Sequence, residues 1–138
     1  MKPQRTIIAG TRTITDPAIL DRALVAAFAA GIARPTEVVS GCAAGVDALG
    51  EQWAKREMIP IKRFPADWRK HGKGAGQIRN QEMADYADQL IAIWDGVSHG
   101  TADMIRKAQY MRVFVYRVEQ PPILTAGNIP LFPLEDYT

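Results

Sequence analysis

Cysteine is nearly absent from this chain: Cys42 is the only one. A lone thiol excludes an intrachain disulfide. With no signal-peptide pattern opening the sequence, it points to a reducing, cytoplasmic setting. Histidine is as scarce, with only His71 and His99. These soft ligands lie far apart in sequence, so no metal site and no cofactor are expected. No uninterrupted apolar run approaches the roughly 18 residues that would suggest a membrane span, so no membrane partner is expected. An excess of one charge is also lacking. The formal net charge is +2, too small for a general attraction to nucleic acid. Without an aromatic-rich basic stripe, single-stranded DNA is not an expected partner. The Walker A pattern and a full G-x-G-x-x-G are missing, which argues against an ATPase and a standard NAD-dependent dehydrogenase. A serine or cysteine triad is not expected either.

What is present is the profile of one ordinary α/β domain: 138 residues, 47% of them apolar, enough for a single core. Short apolar runs alternate with helical periodicity. Arg5 to Ala9 reads as a strand. After it, Asp16 reads as an N-cap and Pro17 as the first helical residue. Ile19, Leu20, Ala23, Leu24, Ala27 and Phe28 then recur at helical spacing, and the helix ends near Gly31. Glu37 to Ser40, Ile61 to Phe64, Leu90 to Trp94 and Val113 to Tyr116 supply four more strands. Helices are expected over Val46 to Glu57, with Val46, Leu49, Trp53 and Met58 facing inward, and over Gln77 to Ala87 and Thr101 to Ala108. Alternating strands and helices predict a Rossmann-like three-layer α/β sandwich. Its five-stranded, mostly parallel sheet should have an order near 3-2-1-4-5. Ligands then bind beyond the carboxyl ends of the strands, where the order reverses between the first and fourth. Residues 1–118 form this domain. A proline-rich apolar tail, 119–138, reads as an extended arm laid over the domain or a neighbouring subunit.

Three glycine-bearing turns fall at carboxyl ends of strands, so the topology should gather them on one edge. Gly10-Thr11-Arg12 offers close backbone approach, a hydroxyl and a planar cation suited to phosphate. Ser40-Gly41-Cys42-Ala43-Ala44-Gly45-Val46-Asp47 should expose backbone N–H groups where a helix begins, an arrangement that attracts phosphate. Asp47 is a candidate acceptor for ribose hydroxyls, or a helix cap. Cys42 in that turn is open to a lowered pKa, although a small packing role fits it better. Asp95 through Thr101 is the third turn. Gly96, Ser98, Gly100 and Thr101 precede a helix, and Asp95 suits a sugar or base edge. Between the last two turns, Ala66 to Gly76 reads as a basic, glycine-bearing loop. It carries Trp68 and Lys73, and it could close over an anion. Arg79 and Asn80 follow. A cation near a helix start opposes the macrodipole unless an anion is bound, which makes Arg79 a candidate clamp.

These segments resemble a known superfamily. The Ser40–Asp47 turn resembles the S-G-x-A-x-G-[IV]-D motif of DprA-type DNA-processing proteins. Arg79 to Ala84, Ala87 to Ala92 and Gly100-Thr101 resemble segments of the LOG-type cytokinin-activating hydrolases. Together they look like the SLOG superfamily, and more narrowly its small stand-alone YspA/cpYpsA-related branch. The local marks of that branch are Pro65-Ala66-Asp67-Trp68, Ile78-Arg79-Asn80 and Trp94-Asp95-Gly96. The resemblance runs from Thr6 to Tyr116. It implies a Rossmann-like fold that forms homodimers or tetramers and binds nucleotides or nucleotide-derived signals, with ADP-ribose derivatives as one class. It admits a phage origin. LOG-type members cleave the N-glycosidic bond of nucleoside 5′-monophosphates with an arginine and a glutamate. The arginine corresponds to Arg79, and the glutamate's place holds Met104.

The expected function is therefore binding, sensing or sequestering a phosphate-bearing nucleotide derivative. The alternative is a nucleotide N-glycoside hydrolase with a substituted carboxylate, with Arg79, Asp103 and Asp95 as its catalytic candidates. Asp47 is a further substitute.

Overall fold

In a computed structural model, which describes residues 2–119, five strands form one all-parallel sheet of order β3-β2-β1-β4-β5. The strands are β1 (Arg5–Gly10), β2 (Glu37–Ser40), β3 (Ile61–Arg63), β4 (Gln89–Trp94) and β5 (Arg112–Arg117). The helices are α1 (Pro17–Ala29), α2 (Val46–Arg56), α3 (Trp68–His71), α4 (Ala75–Tyr86) and α5 (His99–Lys107). The architecture and strand order are those expected from the sequence. The arm expected over 119–138 lies outside the described residues beyond Glu119. No described helix is long and apolar enough to cross a membrane.

The central strands are continuous apolar runs because helices cover both faces of the sheet. Ile8, Val38, Ile91 and Ile93 face α1 and α2, meeting Leu20, Leu24, Leu49 and Trp53. Their neighbours in sequence, Ile7, Val39, Leu90 and Ala92, face the other layer and pack with Met83 of α4 and Met104 of α5. A polar tie closes the bottom of the sheet. Buried Gln89 donates to Thr6 Oγ1 (2.8 Å) and to the Ala33 carbonyl (2.7 Å).

Local rules account for most boundaries. Asp16 caps α1 by accepting the Ala18 N–H at 3.0 Å, with Pro17 at the first helical position. Two expectations are corrected. Met58 does not face inward. It takes a left-handed conformation (φ 58°) just beyond the end of α2 and is 91% exposed, while Ile59 packs against the core in its place. The segment 66–76 is not an open loop. Asp67 accepts the Lys70 N–H at 3.1 Å and caps the short helix α3, and a 3₁₀ turn over Gly72–Gly74 leads directly into α4. The third long crossover helix, α4, therefore begins at Ala75 rather than Gln77, which places Arg79 in its second turn instead of at its start.

Thr11 joins the carboxyl ends of the two central strands. Its N–H donates to the Ile93 carbonyl (3.0 Å), and its hydroxyl accepts the Asp95 N–H (3.1 Å). Its carbonyl accepts the N–H groups of Ile14 (3.3 Å) and of Val46 (3.4 Å), the first residue of α2. One buried residue thus fixes all three glycine turns. Thr11→Val keeps the shape but leaves the Asp95 N–H without its acceptor. A loss of about 1–3 kcal/mol is expected in urea denaturation, with Thr11→Ser recovering most of it.

Candidate ligand-binding cleft

The carboxyl edge of the sheet opens, beside the β1/β4 reversal, into a cleft of about 210 Å³. The β1 turn contributes Gly10 and Arg12, and the β2 turn Ala43 and Asp47. The α3–α4 segment adds Trp68, Lys73, Arg79 and Asn80, and the start of α5 adds Ser98, Gly100, Thr101 and Asp103. The fold thus brings these candidates from all three turns around one cleft. Gly41 and Cys42 line a smaller adjoining cavity.

Other candidates are turned to different tasks. Thr11 is the strut described above and lines neither cavity. Ser40 is buried and donates its hydroxyl to Glu51 (2.6 Å), which also takes Arg63 (3.0 Å). Gly45 is the N-cap of α2, at φ 77°. A Cβ there would sit 2.4 Å from the Arg12 carbonyl oxygen, so only glycine fits the junction. Asp95 lines neither cavity. Its Oδ1 accepts the N–H groups of Val97 and Ser98, both at 2.8 Å, and so folds the third turn. Gly96 lies against the Arg117 guanidinium. Cys42 is neither packed nor acidified. It is exposed, adopts φ 63°, and has its thiol pKa raised by partial burial and by the nearby Glu51 carboxylate.

Three amides of the second turn are engaged locally. The Cys42 N–H donates to Ser40 Oγ (3.1 Å), that of Ala43 to Asp47 Oδ2 (3.2 Å), and that of Val46 to Thr11. The N-terminus of α5 also opens on the cleft. Ser98 is its N-cap, with Oγ accepting the Thr101 N–H at 3.4 Å. The amides of His99 and Gly100, both on the cleft wall, find no acceptor among the described residues. Sequence reasoning passed over His99 and Gln77 as wall residues. The cap pattern Ser98-x-x-Thr101 was the signal for His99, because the residue after an N-cap begins the helix. It also passed over the G-x-S-x-G spacing of Gly96-Val97-Ser98-His99-Gly100, which here makes a helix cap. Ser98 has relaxed backbone angles (φ −57°, ψ 119°), and no histidine hydrogen-bonds its hydroxyl among the described residues.

Arg79 is the buried cation of the site, 8% exposed. Nη1 donates to the Gly41 carbonyl and Nε to Asn80 Oδ1 (3.0 Å). Gly41 permits this approach, since a Cβ there would fall 2.8 Å from Nη1. Asn80 Nδ2 in turn donates to Asp103 Oδ2 (3.0 Å), and Asp103 is ion-paired with Arg106 and Lys107. Among the described residues, Arg79 itself forms no ion pair. Asp47 lies nearby at 5% exposure. Burial pushes its carboxyl up to about 6, against the opposing pull of the Ala43 N–H, Arg79 and Arg12. Only Oδ2 has a partner among the described residues; Oδ1 has none.

A parallel sheet of this order with its cleft at the reversal defines the Rossmann-like class of α/β proteins. Within it, the chain belongs to the YspA, cpYpsA-related SLOG family, whose model matches residues 4–71. It is similar to the Gene 61 protein of Mycobacterium phage D29, at 40% identity over 99 residues, covering 67% of this chain and 73% of that protein. No solved structure matches.

Asp47 has a consequence for stability. The native state holds its proton to a higher pH than the unfolded chain does, so across about pH 4 to 6 the native form is the more protonated. This group's contribution to stability therefore falls as pH rises through that window. Asp47→Asn removes the effect. The variant should match the wild type near pH 4 and exceed it by about 3 kcal/mol at pH 7, from the pKa displacement. Chemical denaturation at the two pH values measures the difference.

Proposed function

We propose that the chain binds a phosphate-bearing, nucleotide-derived small molecule in this cleft, as a sensing or sequestering module. The observation that carries this reading is Arg79. A buried ion costs several kcal/mol unless it is paired, and this one is held by neutral acceptors with one face toward the cleft. An anionic guest supplies the missing charge. The free amides of His99 and Gly100 at the positive end of α5 give its phosphate a second anchor, and Lys73 and Arg12 add longer-range attraction. Family membership supports a nucleotide-related ligand in general terms.

A specific observation supports a second reading, nucleotide N-glycoside hydrolysis. Asp47 is a buried cleft carboxylate with one oxygen left over and a pKa near the range of a general base. It suits that role better than Asp103, whose oxygens are occupied, or Asp95, which lies off the cleft wall.

The test is thermal stabilisation by inorganic phosphate, nucleoside monophosphates and ADP-ribose, with product analysis alongside. Wild type should rise in melting temperature without releasing free base. Arg79→Gln should fold with unchanged or greater apo stability and lose at least tenfold in affinity. Undiminished affinity in that variant would remove Arg79 from the site. Release of free base would transfer the assignment to the hydrolase.

A further inference from the structure

The two edges of the sheet are protected unequally. β3 is short and exposes Lys62 and Arg63, the kind of edge that resists further pairing. β5 is as long as the central strands, and its interior, Val113-Phe114-Val115-Tyr116, carries neither charge nor proline. All four of these residues are only half-buried, whereas their β4 partners, Leu90 to Ile93, are buried. α1 packs on one face of β5, but α5 packs mainly on β1 and β4. Val113 and Val115 therefore share a half-buried apolar strip with Ile105 and Met111. The backbone of β5 is open as well. The Val118 N–H donates to the Trp94 carbonyl, and alternation along a parallel strand turns the N–H groups of Val113, Val115 and Arg117 away from β4. Among the described residues no strand pairs with that outer side.

We infer that residues 123–134 of the same chain lie along the outer side of β5, covering its open edge and the strip beside it. The described residues stop at Glu119, just past the end of β5, so the continuation starts next to the edge in question. It supplies matching apolar surface in Ile123, Leu124, Ile129, Leu131, Phe132 and Leu134. Its length suffices. At the rise of a proline-rich extended chain, residues 123–134 reach roughly 37 Å, against roughly 20 Å for β5. Within sheets proline is confined to edge strands, so Pro130 and Pro133 suit a segment that becomes the last one and presents no full row of donors of its own. Charge decides against a second copy as the occupant. Arg112 and Arg117 are exposed at the two ends of β5, so pairing β5 with its equivalent brings the guanidinium groups of both copies to one seam. Residues 120–138 instead hold Glu135 and Asp136 and no lysine or arginine. The inference is independent of what the cleft binds.

The experiment is residue-resolved amide hydrogen exchange by NMR on the full chain, at a high and a low protein concentration. The outward amides of Val113, Val115 and Arg117 should exchange at least a hundredfold more slowly than in an unstructured peptide, equally at both concentrations. Leu131→Asp combined with Phe132→Asp should speed them at least tenfold and leave the amides of Phe114 and Tyr116, which face β4, at their wild-type rates. Leu131→Met combined with Phe132→Leu should keep the protection. In the wild type, nuclear Overhauser effects should join the methyl groups of Val113 or Val115 to side chains of residues 123–134, a readout that needs no substitution. Unprotected outward amides would overturn the inference, as would protection that the paired aspartates leave intact or the absence of those methyl contacts. Protection that fades on dilution would also overturn it and assign the edge to a second copy.

Discussion

The cleft depends on the hydrogen bonds made by Thr11. In an open parallel sheet, the loops leaving neighbouring strands have no intrinsic reason to stay at a fixed spacing, because ladder pairing ends with the strands. Here the β1 turn bonds to the end of β4 through its N–H, to the β4 loop through its hydroxyl, and to the first residue of α2 through its carbonyl. These short bonds are buried in the junction, where an unmade one is costly. They turn three separate loops into one rim. Gly45 completes the arrangement, since its missing side chain is what lets α2 start against the Thr11 and Arg12 carbonyls.

On that rim, charge is distributed unevenly. Asp103 is over-supplied, with two cations and an amide on its two oxygens. Arg79 is under-supplied, with a backbone carbonyl and a side-chain amide oxygen but no carboxylate within ion-pair reach among the described residues. Asn80 stands between them, accepting from one and donating to the other, so it orients the guanidinium without neutralising it. A site assembled for stability alone would place Asp103 on Arg79 directly. The departure from that arrangement, together with a buried Asp47 whose ionisation is opposed by desolvation, is the pattern of a rim held short of its own electrostatic optimum.

Strand order, layers and the edge that carries the turns were legible because they follow from periodicity and from handedness rules that hold across α/β folds. The positions of Arg12, Asp47 and Gly100 on the cleft wall followed from the same topology, whereas Arg79 was expected from a helix-start argument that its place in the second turn of α4 does not keep. What was not legible is which polar group each turn spends on itself. Asp95, Ser40 and Thr11 have the same chemistry as ligand-binding residues, and a sequence does not show that a local N–H or a neighbouring glutamate has already taken the oxygen. The α3 segment was misread for a related reason. Lysine, histidine and three glycines dominate its composition, but one capping aspartate, Asp67, was enough to fold Trp68–His71 into helix.

Met104 shows how the cleft's chemistry is limited by the helix that supplies it. Asp103 and Met104 both border the cleft, but successive residues of α5 are rotated by about 100°, so the two meet different neighbours. Asp103 meets Asn80 and the two cations of its own last turn, whereas Met104 is 1% exposed and packs with Ile7, Met83 and Leu90 beneath the cleft floor. A carboxylate placed at 104 would have to be desolvated among those apolar neighbours unless a bound ligand or Arg79 reached it. A thioether there demands nothing and closes the floor. α5 therefore gives the cleft free amides and a dry base, and any carboxylate that works on a guest has to come from the opposite wall, where Asp47 alone has an oxygen left over among the described residues. On the proposed binding reading the guest is held by Arg79 and the start of α5, and on the hydrolase alternative the working carboxylate comes from α2.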